Sequence, residues 1–307
     1  MKLRPPAIAV AAAALVAAGS VPTATHAAQI DETAATGEQT VAATDSPSKA
    51  DSVKPLGEAP KTTNGQDQKW VGILESKQQL WPNEAVRVHS ESMGRDIPVA
   101  LFRATDENGQ PVQGAPTVYL LNGAGGSEQN TDWVAQAFDQ MYATYGREGV
   151  NVVVPMEGAF SYYVDWADEP PVENTYYKGK QMWSTFLAEE LPGSVEPYLG
   201  ANGRRAVAGL SMAATSSLLL AEHYPEKYDA VGSFSGCAAT STPVPWEFVN
   251  LTVSRAAPGV MTPEPIFGER GSEENRSKDA LVNAGKLKGT AVYISNGTGL
   301  AGEGDMA

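Results

Sequence analysis

Short apolar runs alternate with segments of helical spacing from about Trp70 onward. Runs of this kind, bounded by turn residues, predict strands. The predicted strands are residues 86–90, 97–103, 117–121, 150–155, 205–210, 230–234 and 290–295. The run at 150–155 has no polar residue after Asn151, which is typical of a strand buried on both faces. Met93-Gly94-Arg95 predicts the turn between the first two strands.

Segments in which apolar residues have helical spacing separate these strands. The predicted helices are residues 133–145, 180–191, 212–223 and 279–284, with Pro192-Gly193 ending the second and Pro225 closing the third. Strand–helix alternation predicts the α/β class, a mostly parallel sheet with helices on both faces. Residues 243–265 are rich in Pro and predicted to be irregular, as either a cap over a site or a surface excursion.

The N-terminus has the composition of an export signal. A basic start at Lys2 and Arg4 precedes an apolar run at 7–18, and small residues follow at 24–28. This pattern predicts a secretory signal peptide over residues 1–28, removed by cleavage, so that no stable membrane insertion remains. A retained membrane anchor is the alternative. The expected location is outside the cytoplasm, either secreted or in the cell envelope.

The composition of the remaining chain divides it in two. Residues 29–66 are rich in Ala, Thr, Asp, Glu, Ser and Pro, which predicts a disordered linker, and residues 67–307 are the predicted domain. The formal net charge of −14 argues against nucleic acid and anionic lipid as partners. The lone cysteine, Cys237, excludes an intrachain disulfide. Its position after an apolar run favours burial over a free thiol.

The segment Gly209-Leu210-Ser211-Met212-Ala213 joins a predicted strand to a predicted helix. This is the context of a G-x-S-x-G nucleophile elbow, where the serine occupies a sharp, strained turn. Residues two positions away must be small, as Gly209 and Ala213 are. The N-terminus of the helix carries a partial positive charge that favours an oxyanion. Ser211 is therefore the predicted nucleophile of acyl transfer through a serine ester.

The Gly-rich loop Asn122-Gly123-Ala124-Gly125-Gly126 follows the strand at 117–121. In α/β-hydrolases the loop at this position supplies one oxyanion N–H, and the residue after the nucleophile supplies the other. The predicted donors are the backbone amides of Ala124 and Met212. A nucleotide-phosphate loop is disfavoured because the G-x-G-x-x-G spacing is absent. We expect neither a metal nor a cofactor.

The three histidines do not provide a general base for Ser211. His26 leaves with the signal peptide, and His89 alternates with apolar residues of an early strand. His223 lies at the far end of the helix that follows Ser211, roughly 18 Å away at about 1.5 Å per residue. Either the domain continues beyond Ala307 or the protein is a non-catalytic relative. A sheet that ended after the strand at 290–295 would leave an unpaired edge, which favours a missing C-terminal part.

Several motifs in consistent order resemble the antigen 85 family of secreted mycolyltransferases, and most closely its corynebacterial branch. The matching segments are Tyr119-Leu-Leu-Asn-Gly-Ala-Gly-Gly126, Val154-Pro-Met-Glu-Gly158, Ser161-Tyr-Tyr-Val-Asp-Trp166, Trp183-Ser-Thr-Phe-Leu-Ala-Glu-Glu-Leu-Pro-Gly193, Gly209-Leu-Ser-Met-Ala-Ala214 and Asn283-Ala-Gly-Lys-Leu287. The resemblance implies an α/β-hydrolase that moves a mycoloyl group. The implied donor is trehalose monomycolate, and the implied acceptor is a second such molecule or cell-wall arabinogalactan.

In this resemblance Ser211 matches the family nucleophile, and Met212 and Ala124 match its oxyanion donors. The catalytic Glu and His of the family would lie beyond the end of this chain. Asn122 stands where the mycobacterial pattern has an Asp that holds trehalose, so it is the predicted substrate-binding residue. Gly125 stands where that pattern has an Arg. A secreted carboxylesterase or lipase and a non-catalytic carbohydrate-binding protein of the envelope are the alternatives.

Overall fold

The computed structural model describes residues 52–297, and an eight-stranded sheet forms its centre. The predicted signal peptide and residues 29–51 of the predicted linker lie outside the described residues. The strands are β1 (Val53–Pro55), β2 (Asn83–Ser90), β3 (Arg95–Phe102), β4 (Thr117–Leu121), β5 (Asn151–Pro155), β6 (Arg205–Leu210), β7 (Ala230–Phe234) and β8 (Ala291–Ser295).

The strand order is β1-β2-β3-β5-β4-β6-β7-β8. Strands β1, β2, β3 and β5 pair antiparallel in turn. Strands β5, β4, β6, β7 and β8 are parallel neighbours. The helices between the parallel strands provide the crossovers that such strands require. The predicted α/β class with a mostly parallel sheet is confirmed.

Helices lie on both faces of this sheet. They are α1 (Lys69–Lys77), α2 (Trp133–Tyr145), α3 (Trp183–Thr185), α4 (Leu191–Leu199), α5 (Met212–His223), α6 (Pro243–Val253), α7 (Glu264–Phe267), α8 (Glu273–Ser277) and α9 (Ala280–Asn283). Short 3₁₀ turns cover Ser127–Gln129 and Ala284–Leu287, and a π-helical turn, Phe186–Glu190, joins α3 to α4.

Alternating side chains of the central strands enter two separate cores. In β5, Val152 and Val154 belong to the same core as Phe138 of α2, while Val153 belongs to the other core, with Leu219 of α5. Residues that alternate in this way along a strand point to opposite faces. The prediction that β5 is buried on both faces is therefore confirmed.

The predicted boundary between linker and domain at residues 66 and 67 is wrong. β1 pairs with β2 in register, Val53 opposite Val88 and Pro55 opposite Val86, so the sheet includes residues assigned to the linker. The segment is polar and short, and its order comes from pairing with a strand more than 30 residues away, which local composition does not report.

Two predictions based on proline are also wrong. The helix predicted to stop at Pro192-Gly193 continues through α4 to Gly200, whose left-handed conformation (φ 65°) ends it. Pro192 directly follows the π-helical turn Phe186–Glu190 at the second position of α4, so the helical path continues past a residue that has no N–H. Residues 243–253, predicted to be irregular, form α6. Pro243 occupies its first position, where the fixed φ of proline suits a helix start.

None of the helices between residues 52 and 297 combines the length and apolar character needed to cross a bilayer.

Candidate active site

The turn at Ser211 has the geometry predicted for a nucleophile elbow. Ser211 has φ 58° and ψ −117°, a strained conformation for a residue with a Cβ. Its N–H donates to the carbonyl oxygen of Phe234 at 2.8 Å, which fixes the turn to β7. A Cβ on Gly209 would lie 1.9 Å from the carbonyl oxygen of Ala213, so glycine is required there. The turn leaves Ser211 exposed at the carboxyl end of β6.

The Gly-rich loop after β4 lies beside this turn. A Cβ built on Gly123 would be 3.6 Å from the Cβ of Ser211. Ala124, the next residue, accepts a hydrogen bond from the Phe160 N–H at its carbonyl oxygen, 2.8 Å away. Met212 is the first residue of α5, so its N–H has no acceptor within the helix. The structure thus brings the two predicted oxyanion donors to the neighbourhood of the serine.

A strained loop at residues 158–163 borders the same region. Phe160, Tyr162 and Tyr163 all have positive φ, between 48° and 58°. The N–H of Tyr162 lies 3.4 Å from the Sδ of Met212, and the Ser216 hydroxyl donates to the carbonyl oxygen of Tyr162. Such conformations persist only where surrounding contacts hold them. This loop therefore forms a rigid wall next to the first turn of α5.

Neither histidine in the described part of the chain reaches Ser211. His89 lies on β2, and its Nδ1 is 2.8 Å from Asp96 of β3. His223 is the last residue of α5, and its Nε2 is 2.8 Å from the carbonyl oxygen of Ser277. Met212 and His223 are the two ends of the 12-residue helix α5, as the sequence implied. The serine and its surrounding amides are present without a histidine base among residues 52–297.

Comparison with protein families shows to which class this arrangement belongs. The family model described as "Putative esterase" matches residues 90–302, more than half of the chain. The chain belongs to the esterase family. The matched part includes the elbow, the Gly-rich loop and the strained loop described above.

This esterase-family chain is similar to curated mycobacterial acyltransferases. It is 32% identical over 228 residues to diacylglycerol acyltransferase/mycolyltransferase Ag85B of Mycobacterium leprae, a match that covers 71% of this chain and 64% of the relative. It is also 32% identical over 225 residues to Ag85A of Mycobacterium tuberculosis, covering 71% and 62%. The resemblance to the antigen 85 family is therefore confirmed, and the chain spans less than two thirds of the length of these relatives.

Solved structures confirm the α/β-hydrolase fold of the chain. MPT51 (FbpC1) of Mycobacterium tuberculosis superposes with a TM-score of 0.55 at 28% identity, covering 69% of this chain and 73% of that one. The fluorophosphonate-binding serine hydrolase FphF of Staphylococcus aureus gives a TM-score of 0.51 at 16% identity, covering 70% and 78%. The second likeness concerns the fold alone.

Asn122, the predicted substrate-binding residue, lies beneath the Gly-rich loop. Its side chain is buried, and its Nδ2 donates to the carbonyl oxygen of Pro155 at 2.8 Å. Its Oδ1 accepts from the Trp133 N–H at 3.0 Å. Both polar atoms thus join the end of β5 to the start of α2. These bonds give Asn122 a structural role, and its binding of substrate stays a prediction.

A side chain at Gly125 would have to displace its neighbours' side chains. A Cβ there would lie 2.4 Å from Oγ1 of Thr131 and 2.7 Å from Oε1 of Gln129. The Nε2 of Gln129 donates to the Tyr176 hydroxyl at 2.8 Å.

A buried carboxylate, Glu128, connects the Gly-rich loop to the strained loop and was not predicted from the sequence. Its Oε1 accepts from the backbone N–H groups of Gly158 at 3.1 Å and Ala159 at 3.2 Å. Burial raises the pKa of Glu128 to about 7, and the negative charge of Glu157 raises it in the same direction. These two N–H groups are 30 and 31 residues distant in sequence, so no local sequence pattern predicts the contacts.

Cys237 is exposed, and the prediction that it is buried is wrong. It lies in the loop that leaves the carboxyl end of β7 and folds back over α5. Its carbonyl oxygen accepts from the Thr215 hydroxyl at 2.6 Å, while a Cβ on the preceding Gly236 would touch Ala214 at 2.3 Å. The backbone of this loop is packed, and the thiol side chain points outward.

Proposed function

We propose that this esterase-family chain transfers a mycoloyl group through an ester on Ser211. The donor is trehalose monomycolate, and the acceptor is a hydroxyl of a second such molecule or of cell-wall arabinogalactan. The observation that carries the proposal is an exposed serine in a strained elbow, flanked by a Gly-rich loop. The names of the mycolyltransferase relatives support the choice of acyl group.

The proposed reaction has two balanced steps. The Ser211 hydroxyl oxygen attacks the ester carbonyl carbon of the donor, and the bond from that carbon to the trehalose oxygen breaks. The serine proton passes through a general base to the departing trehalose. A hydroxyl of the acceptor then attacks the serine ester, and its proton returns to Ser211. Each step passes through a tetrahedral oxyanion.

The backbone N–H groups of Met212 and Ala124 are the proposed oxyanion donors. Loss of one such donor typically costs about 3–4 kcal/mol of transition-state stabilisation. The partial positive charge at the N-terminus of α5 favours the same oxyanion. The general base is proposed to lie outside residues 52–297, because the histidines of that part are held at other places.

We propose that this reaction takes place in the cell envelope after export. The basic and apolar N-terminal residues 1–28 support a cleaved signal peptide. Trehalose mycolates and arabinogalactan are the partners of this proposal, and the net charge of −14 opposes nucleic acid as a partner.

The experiment incubates the full-length gene product with trehalose monomycolate and separates the products. We expect trehalose dimycolate and free trehalose in equal amounts. Ser211→Ala should lower the transfer rate at least about a thousandfold, while the control Ser76→Ala, on exposed helix α1, should retain it. Full transfer by Ser211→Ala would disprove the proposal.

The family description as an esterase favours hydrolysis as the second candidate function. The same serine ester would then be attacked by water. Free mycolic acid in place of dimycolate, formed in the same assay and lost in Ser211→Ala, would assign a carboxylesterase or lipase. Saturable binding of arabinogalactan without either product would assign a non-catalytic envelope protein.

A further inference from the structure

Helix α6 carries an apolar stripe that faces away from the protein. Val244, Phe248 and Leu251 are 64%, 55% and 64% exposed. Positions i, i+4 and i+7 fall on one side of a helix, so the three side chains form a continuous strip. Contiguous exposed apolar surface of this kind marks an interaction site more often than isolated apolar residues do.

The opposite side of α6 is firmly packed. Trp246, Val249 and Val253 are all at most 6% exposed and belong to the core beneath the site. The helix therefore has two apolar sides, one buried and one open. The open stripe is presented by a fixed element rather than by a mobile loop.

Contacts near its C-terminus hold α6 against the strained loop that borders the candidate active site. The guanidinium carbon of Arg255, two residues after α6, lies 5.5 Å from the Phe160 ring centre. In the same loop the Tyr162 N–H lies 3.4 Å from the Sδ of Met212, the residue after Ser211. At its N-terminus the chain arrives from the loop that packs on α5. Ser211 itself stays exposed.

The charges around the stripe favour an uncharged surface as its occupant. Helix α6 contains no Lys or Arg, and Glu247 and Arg255 are the charged residues nearest to the stripe along the chain. The protein as a whole carries −14 and repels anionic headgroups. Binding to an anionic membrane usually depends on Lys and Arg on the polar face of the helix. A lipid layer without net charge has no such requirement.

We propose that the stripe Val244, Phe248 and Leu251 inserts into the surface of an uncharged lipid layer. This contact places Ser211 where acyl chains emerge from that layer. Leu210, 37% exposed beside the serine, extends the apolar surface toward the site. The proposal deepens the proposed function and rests on it, because docking serves an enzyme whose donor is a lipid.

The test measures flotation of the full-length protein with phosphatidylcholine vesicles, which have no net charge. We expect the double variant Phe248→Ser/Leu251→Ser to lower the vesicle partition coefficient at least about tenfold. The matched control Leu80→Ser removes an exposed leucine (43%) elsewhere and should leave partitioning unchanged. Ser211→Ala should float like the parent, which separates docking from catalysis.

Activity on two esters separates failure of docking from failure of the proposed function. With water-soluble p-nitrophenyl butyrate, the double variant should keep the turnover of the parent, whereas with donor dispersed in vesicles it should lose at least about tenfold. Equal flotation of parent and double variant would overturn the docking proposal alone. Stronger flotation with phosphatidylglycerol vesicles, abolished by salt, would overturn the uncharged occupant. A parent dimer that dissociates in the double variant would assign the stripe to a second copy.

Discussion

The side-chain amide of Asn122 stabilises the backbone around the candidate site. Its Nδ2 donates to a backbone carbonyl oxygen, and its Oδ1 accepts from a backbone N–H. Asn122→Asp would replace the donor Nδ2 by an oxygen facing the carbonyl oxygen of Pro155. We expect a loss of about 1–3 kcal/mol in the free energy of unfolding, measured in urea. Exposed Asn64→Asp is the control.

Unchanged stability of Asn122→Asp, together with an altered KM for the donor, would contradict this account. That result would return Asn122 to the substrate-binding role expected from the family resemblance.

The surroundings of Glu222 shift the pKa of its carboxyl group. It lies in the last turn of α5, and within the described part of the chain neither of its buried carboxyl oxygens has a hydrogen-bond partner. Burial raises its pKa from the ordinary value of 4.5 to about 8, against the opposing charge of Lys286. The folded state therefore holds a proton that the unfolded state releases. Below about pH 4.5 both states are protonated, and stability falls as the pH rises from there to about 8.

Glu222→Gln removes this titration. We expect the variant to gain stability relative to the parent as the pH rises from about 4.5 to about 8, with little difference below that range. Thermal unfolding at a series of pH values measures the effect, and exposed Glu226→Gln is the control. A constant difference between Glu222→Gln and the parent at every pH would contradict the assignment.

At the scale of elements, the junction of β6 and α5 depends on one glycine. Gly209→Ala would place a methyl group against the backbone of α5, which no side-chain rotation can relieve. We expect a loss of about 1–3 kcal/mol or more in unfolding free energy, together with loss of acyl transfer. Gly72→Ala, in helix α1 with open space around it, should be neutral or slightly stabilising. Wild-type stability of Gly209→Ala would show that the elbow is not as tight as described.

The first and last residues of elements with strong local patterns could be predicted correctly from the sequence. The bounds of β4, α2, β6, α5 and β7 match those expected, because their apolar spacing and turn residues lie within the elements themselves. Helix α6 was missed because the five prolines of residues 243–265 suggested an irregular segment, yet Pro243 and Pro245 fall in its first turn. The sequence shows a proline, and only the structure shows where along a helix it falls.

At the scale of the whole molecule, contacts between distant residues set the limits of prediction. The elbow could be recognised from the sequence because its parts are adjacent along the chain. Strand β1 and the carboxylate of Glu128 were missed because their partners lie far away in sequence. The structural bonds of Asn122 were missed for the same reason. The nucleophile of the candidate site can therefore be predicted from neighbouring residues. The strained loop beside it, residues 158–163, is placed there by contacts between residues distant in sequence.

The central claim is that Ser211 accepts the acyl group. The most direct measurement incubates the full-length gene product with trehalose monomycolate, quenches it in acid and maps covalent adducts by peptide mass spectrometry. We predict one mycoloyl adduct, on the peptide that contains Ser211, and none in Ser211→Ala. An adduct on another residue, or a protein that neither forms an adduct nor consumes the donor, would contradict the account.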